Sequence, residues 1–265
     1  MNRLFAAVVA LALSTGSAAA QSGASDSDAI AGRALVKRYA DAIVGVELVV
    51  TVKMKTGDRE QPPREQRIEV NGTVLTPGGL TVTSLAAVDP QVAFDAARAG
   101  QQNMRGVELV GVDFKEVKLR LADGKEVPAR FVLKDADLDL AFMAPETAES
   151  GREYPHVKLD ETAEGAVLNR YFFVLRAAKT LQRVPLVRAT TIVGIVEKPR
   201  RLFILAEQGL AIPVFDPTGR VLGITLQHFA NGQSGGIVVL PAADIAEMAK
   251  QAVAAQATPA KSAGN

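Results

Sequence analysis

Apolar and polar residues alternate with a period near two along much of this chain, and the period changes only toward its ends. Val46, Leu48, Val50, Val52 and Met54 are interleaved with Glu47, Thr51 and Lys53, which predicts a strand with one face turned inward. The charged, proline-containing stretch Lys55 to Glu65 predicts a connecting loop, and Ile68 to Leu75 the next strand. Val117, Leu119 and Leu121 interleave with Lys118 and Arg120 before Asp123-Gly124, a two-residue hairpin signal whose positive backbone angles Asp and Gly tolerate. Tyr171 to Leu175, Pro185 to Val196, Leu202 to Leu205, Val221 to His228 and Ile237 to Leu240 read as a second set of strands. Pro213 and Asp216-Pro217-Thr218-Gly219 supply turn chemistry between two of them. Near the ends, Ile30, Leu35, Val36, Tyr39 and Ile43 lie at helical spacing within Ala29 to Ile43. Ile245, Met248, Ala249 and Ala252 share one face of a closing helix over Pro241 to Ala255. Short strands spaced by turns predict closed antiparallel barrels rather than a parallel sheet. The apolar pattern breaks over Ala144 to His156, which predicts a linker between a first unit at 29–143 and a second at 157–255.

Outside those units, Met1 to Ala20 carries one positive residue, Arg3, an apolar run from Leu4 to Leu13 and a small-residue end at Ala18-Ala19-Ala20. That is the layout of a secretory signal cleaved after Ala20, and the run is well short of the ~20 residues a membrane span needs. The expectation is a periplasmic or secreted protein with no membrane insertion after cleavage. The polar leader at 21–28 and the small, polar tail at 256–265 predict disorder.

Composition narrows the class. The 265 residues are 48% hydrophobic and 22% charged, with no Trp and no Cys. A chain without cysteine has no disulfide and stands on its hydrophobic core, which for an exported chain of this size suggests a bacterial periplasm. Lys and Arg total 30 against 29 Asp and Glu, and loss of Arg3 makes them equal, so no net field draws the chain to nucleic acid or anionic lipid. Arg170, Arg176, Lys179, Arg183 and Arg188 form a local basic run, read either as solvated strand faces or as an anion-facing patch. Two widely separated histidines and no cysteine offer no metal-ligand cluster, and no cofactor is expected.

Three motif blocks carry a resemblance. Arg201 to Thr225 keeps a Pro, Pro213, and six residues later a Gly, Gly219, opening the strand Val221-Leu222-Gly223-Ile224. Asn71 to Val88 runs Asn-Gly-Thr-Val-Leu through Gly79 to Thr-Ser-Leu-Ala-Ala-Val. Val117 to Arg130 is a hairpin pattern followed by Asp135-Ala136-Asp137-Leu138-Asp139-Leu140-Ala141. In this order, over roughly Asp41 to Gln251, they resemble trypsin-like serine peptidases of the HtrA/Deg type. The resemblance implies two antiparallel six-stranded barrels with short N- and C-terminal helices, and the expectation is a form of the family without a PDZ domain. It also implies that the triad Asp is Asp139, while the His and Ser positions fall on Ala86 and Leu210. Gln208, Gly209, Leu210, Ala211 and Ile212 stand on the family's Gly-Asn-Ser-Gly-Gly.

Without an activated hydroxyl and its base, at most the rate help of an oxyanion hole survives, roughly 10³-fold over water. Gln208 and Ile212 in place of glycines argue against even that loop shape. The expectation is a pseudopeptidase that binds a protein or peptide segment as scaffold or regulator. Its cleft would involve Gln208, Gly209, Leu210, Ile212, Leu226 and Phe229, with the extended edges Ala189 to Val193 and Leu226 to Phe229. Gly232-Gln233-Ser234-Gly235-Gly236 matches a peptidase signature letter for letter, so an active hydrolase using Ser234 with His228 is the alternative. Its position before the last strand reads instead as a hairpin turn set far from Asp139. A purely structural domain is the third reading. Relative to the family, Asp89 to Glu116 is an insertion beside the His position, including a helix-like Val92 to Gln101.

Overall fold

The computed structural model describes residues 26–100, 106–147, 151–230 and 233–257. The signal segment, most of the leader and all but the first residues of the tail lie outside them. Seven strands make the first unit: β1 (Ile43–Thr56), β2 (Arg59–Glu60), β3 (Arg64–Val74), β4 (Thr81–Ser84), β5 (Val107–Arg120), β6 (Glu126–Asp135) and β7 (Leu140–Pro145). Six of them pair in the order β1-β3-β4-β7-β6-β5, and β5 returns to β1, closing an antiparallel barrel with β2 as a short extension. The second unit is a closed antiparallel barrel of β8 (Arg170–Arg176), β9 (Pro185–Val196), β10 (Leu202–Leu205), β11 (Pro213–Phe215), β12 (Val221–Ala230) and β13 (Gln233–Pro241). This is the two-barrel architecture expected above.

Among the described residues there are four α-helices: α1 (Asp26–Tyr39), α2 (Leu85–Val88), α3 (Pro90–Gly100) and α4 (Ala242–Ala257). The inward residues of β1, Val46, Leu48, Val50 and Val52, pack with Leu119, Val127 and Met143 in the first barrel. Tyr171, Phe173, Ile192, Val214 and Val239 fill the second. A third apolar cluster runs between the barrels, joining Leu80, Val82, Leu140 and Phe142 to Leu202, Ile224, Leu226 and Leu240 under Ile245 of α4. The two barrels therefore share a buried seam rather than a flexible joint.

Several details differ from the sequence reading. Residues 107–116, taken as insertion, belong to β5; the register of β1 on β5 shifts at Val49/Val50 and at Lys53/Met54, so Lys115 and Val110 bulge and break the alternation that would have marked a strand. The β5–β6 connection is not a two-residue turn, because Leu121 N–H donates to Lys125 O at 2.9 Å and three residues span it, with Gly124 at φ 84°. Pro213 starts β11 rather than a turn. Strand β7 extends to Pro145, and Tyr154 is buried in the first core, so the 144–156 segment is partly packed. Helix α1, grouped by chain order with the first barrel, packs on the second: Leu35 and Tyr39 lie with Phe172, Phe215 and Val221. Tyr39 stacks on Phe215 at 4.2 Å and donates its hydroxyl to Gly219 O at 2.7 Å.

Candidate functional site

Asp139 ends the tight turn between β6 and β7, which Asp135 stabilises by accepting Leu138 N–H at 2.8 Å. Its φ of 58° lies in the left-handed region that Asp tolerates better than most residues. That turn aims the carboxylate at the start of α2. There Oδ1 accepts Ala86 N–H at 2.7 Å and Oδ2 accepts the Ser84 hydroxyl at 2.6 Å. Oδ2 also accepts Gln227 N–H at 2.7 Å, from β12 of the other barrel. The carboxylate is fully buried. Burial pushes its pKa above the ordinary Asp range, and the donors from Ser84, Ala86 and Gln227 offset only part of that.

Ala86 and Asp139 are thus in direct contact, with a methyl group where the resemblance puts a base. Leu210 approaches from the second barrel. Its neighbour Ala211 donates its N–H to Thr225 O at 2.7 Å, and Ile212 N–H donates to Thr225 Oγ1 at 2.9 Å, two residues along β12 from Gln227. Leu210 is half-buried, Gln208 is exposed, and Ile212 is buried inside the second barrel. Ala211 holds φ 59°, a conformation that costs an alanine about 1 kcal/mol and that glycine adopts freely. A Cβ on Gly209 would lie 2.5 Å from Ile212 Cδ1, so a side chain there would push the end of the Ile212 side chain aside. Arg188 ties this loop down by donating to Gln208 O and Glu207 Oε2, both at 3.0 Å.

Beside this floor lies a groove of about 710 Å³. Leu226 and Phe229 of β12 line it with Val238 and Leu240 of β13; α3 and the β9–β10 turn form its two sides. Gln208, Gly209, Leu210 and Ile212 are not part of its lining. Beyond Thr225, β12 has β13 on one edge and no strand on the other among the described residues. The groove and the Leu210 loop are therefore two neighbouring features, not one cleft.

His228 pairs with Gly236 and Phe229 with Ser234 along the β12–β13 hairpin. The side chain of Ser234 lies outside the described residues. The hairpin is nearer Asp139 than its place in the sequence suggested, since Gln227, which binds Asp139, immediately precedes His228; no hydrogen bond joins the His228 ring to Asp139. The basic run is not an open patch. Arg170 pairs with Asp28, Arg188 with Glu207, and Arg183 with Glu47 and Glu69, while Arg176 donates to the carbonyls of Ile43, Ala40 and Arg183. Among the described residues no group of three or more His, Cys, Asp and Glu is arranged to hold a metal ion.

Two members of the site escaped the sequence reading, Ser84 and Gln227. Ser84 had a signal, since a Ser directly before the apolar run Leu85-Ala86-Ala87-Val88 is a helix N-cap candidate, and its Oγ accepts Ala87 N–H at 3.3 Å. Gln227 contributes only its backbone, for which a sequence carries no signal.

No family model and no curated protein matches the chain. A solved structure, the apo form of the MamO protease domain from Magnetospirillum magneticum, is similar to it with a TM-score of 0.49 and 16% identity, over 80% of this chain and 97% of that one. The two-barrel architecture rests on the strand pairing itself.

Proposed function

We propose that this protein is an exported pseudopeptidase of the trypsin-like, HtrA-related kind that binds extended polypeptide segments without cleaving them. The observation that carries the reading is the state of Asp139. Its carboxylate is buried against Ser84, Ala86 N–H and Gln227 N–H, with no imidazole to orient and no hydroxyl at position 210 to activate. Acyl transfer needs a nucleophile, its base and the base's orienting group, and only the last has a counterpart here. Binding has different requirements. An extended segment needs a strand edge without a partner strand and pockets for alternate side chains; β12 beyond Gln227, whose own N–H is held by Asp139, and the groove beside it offer both.

The test pairs a fluorophosphonate probe with casein turnover, using the purified chain from Gln21 onward. Neither labelling nor turnover is expected. Labelling that disappears in Ser234→Ala would overturn the proposal in favour of a hydrolase built on Ser234 and His228. For binding, fluorescein-labelled peptides with apolar residues at alternate positions should gain anisotropy with the wild type and lose at least about tenfold in affinity with Phe229→Asp, which sets a charge in the apolar groove. Equal affinity for both would leave the structural-domain reading.

A further inference from the structure

Helix α3 forms one side of the groove, and the way it is attached is unlike that of any strand around it. Val92, Asp95, Ala96 and Ala99, spaced i, i+3, i+4 and i+7, put one helical face on the groove. No described residue of α3 is fully buried, whereas the facing Leu226, Val238 and Leu240 are core residues. Its N-terminal end is the well-anchored part. Asp89 follows α2, donating its N–H to Leu85 O at 2.8 Å, and caps α3 by accepting Gln91 N–H on Oδ1 at 3.0 Å and Ala93 N–H on its carbonyl at 3.1 Å. The other carboxylate oxygen, Oδ2, accepts from Lys134 Nζ at 2.8 Å. That ammonium sits over two aromatic rings of the first barrel, 4.6 Å from the centre of Phe114 and 4.2 Å from Phe131, and those rings pack edge to face. A single cation thus joins the cap of α3 to β5 and β6.

We propose that α3 is a hinged wall of the groove, pivoting at Asp89 and Pro90, and that Lys134 is the positioning residue that sets how wide the groove stands. The width would decide which side chains the groove admits, a step that rests on the polypeptide-binding reading above; the hinge itself does not. A helix with little buried surface opens locally at low cost, and one ion pair stacked on aromatic rings is strong enough to bias it.

The experiment uses the chain from Gln21 onward as wild type, Lys134→Met and Lys134→Arg, by hydrogen–deuterium exchange and peptide binding. Met keeps the stem over the rings without the charge, and Arg restores the cation. In Lys134→Met the amides of residues 91–99 should exchange about tenfold faster, those of β6 and β7 should be unchanged, and Lys134→Arg should return toward the wild type. Unchanged exchange in Lys134→Met overturns the hinge, as does wild-type exchange over 91–99 as slow as that of β7. A general rise across the first barrel also overturns it, because Lys134 would then serve the fold alone. For width, fluorescein-labelled peptides differing only in Leu or Phe at the alternate positions are titrated into each variant. The ratio of the two affinities should change at least about threefold in Lys134→Met. An unchanged ratio with faster exchange overturns the specificity role. If the wild type binds no peptide at all, the binding reading of the groove fails while the exchange data still decide the hinge.

Discussion

Asp139 and Asp216 are both buried aspartates in tight turns, and they are held in opposite ways. Asp216 finds its donors within four residues: Thr218 N–H and Oγ–H, Arg220 N–H and the Arg220 guanidinium, all within 3.0 Å. Burial opposes its ionisation, yet those bonds prevail and its carboxyl lies below the ordinary range. Asp139 has no cation, and its donors Ala86, Ser84 and Gln227 lie 53, 55 and 88 residues away in sequence. A turn that only needs to close can use local partners. The carboxylate of Asp139 instead takes its donors from both barrels and has no countercharge, so it ties two distant parts of the chain together.

The comparison breaks most readily at Asp139. Asp139→Ala strands three donors, the Ser84 hydroxyl fully buried and the Ala86 and Gln227 N–H groups partly so, and should lower unfolding free energy by about 3 kcal/mol, read as a shifted urea midpoint. Asp216→Ala should cost about half as much, because the Arg220 side chain it releases is 56% exposed and turns to water. Equal losses would mean that the distant donors of Asp139 relax as easily as the local ones of Asp216. Ser84→Ala removes one donor and the α2 cap together, for about 1 kcal/mol.

The smallest and sharpest effect is in pH. A folded-state pKa raised by burial means that, at pH values between the unfolded and the folded pKa, the native chain holds a proton on Asp139 which the unfolded chain has released. The resulting stability is fully present below the unfolded pKa and lost as pH rises through the folded one. Unfolding titrations at descending pH should therefore show wild type gaining on Asp139→Asn. The corresponding comparison with Asp216→Asn should run the other way, since a depressed pKa contributes stability that disappears on acidification. A wild type that instead loses ground to Asp139→Asn in acid would show that three hydrogen bonds outweigh burial.

How much of this could be read from the sequence follows from the range of the interactions involved. Strand β1 was legible from its alternation and β9 as an apolar, β-branched run, as was Asp139 through its place in the Asp-Leu-Asp-Leu-Ala run. The first ten residues of β5, 107–116, were not, because bulges at Val110 and Lys115 shift its inward face twice and make that stretch look like an insertion, whereas its end from Val117 was read as a strand. Strand β11 is three residues long and opens with proline, which by itself reads as a turn. The meeting of Ala86 with Asp139 came only through the motif resemblance, and the part played by Gln227 could come only from coordinates, since a backbone N–H has no letter.

The placement of α1 has a consequence for the order in which the molecule is made. Its apolar stripe is covered by residues of β8, β11 and β12, and the Tyr39 to Gly219 bond spans 180 residues. A chain synthesised from its N-terminus presents that stripe before any of the surface that covers it exists. The first barrel, whose strands all lie between Ile43 and Pro145, can close in the meantime. Helix α1 is thus among the earliest described segments to be synthesised and among the last to be buried, and a nascent chain stopped before β11 would carry it exposed.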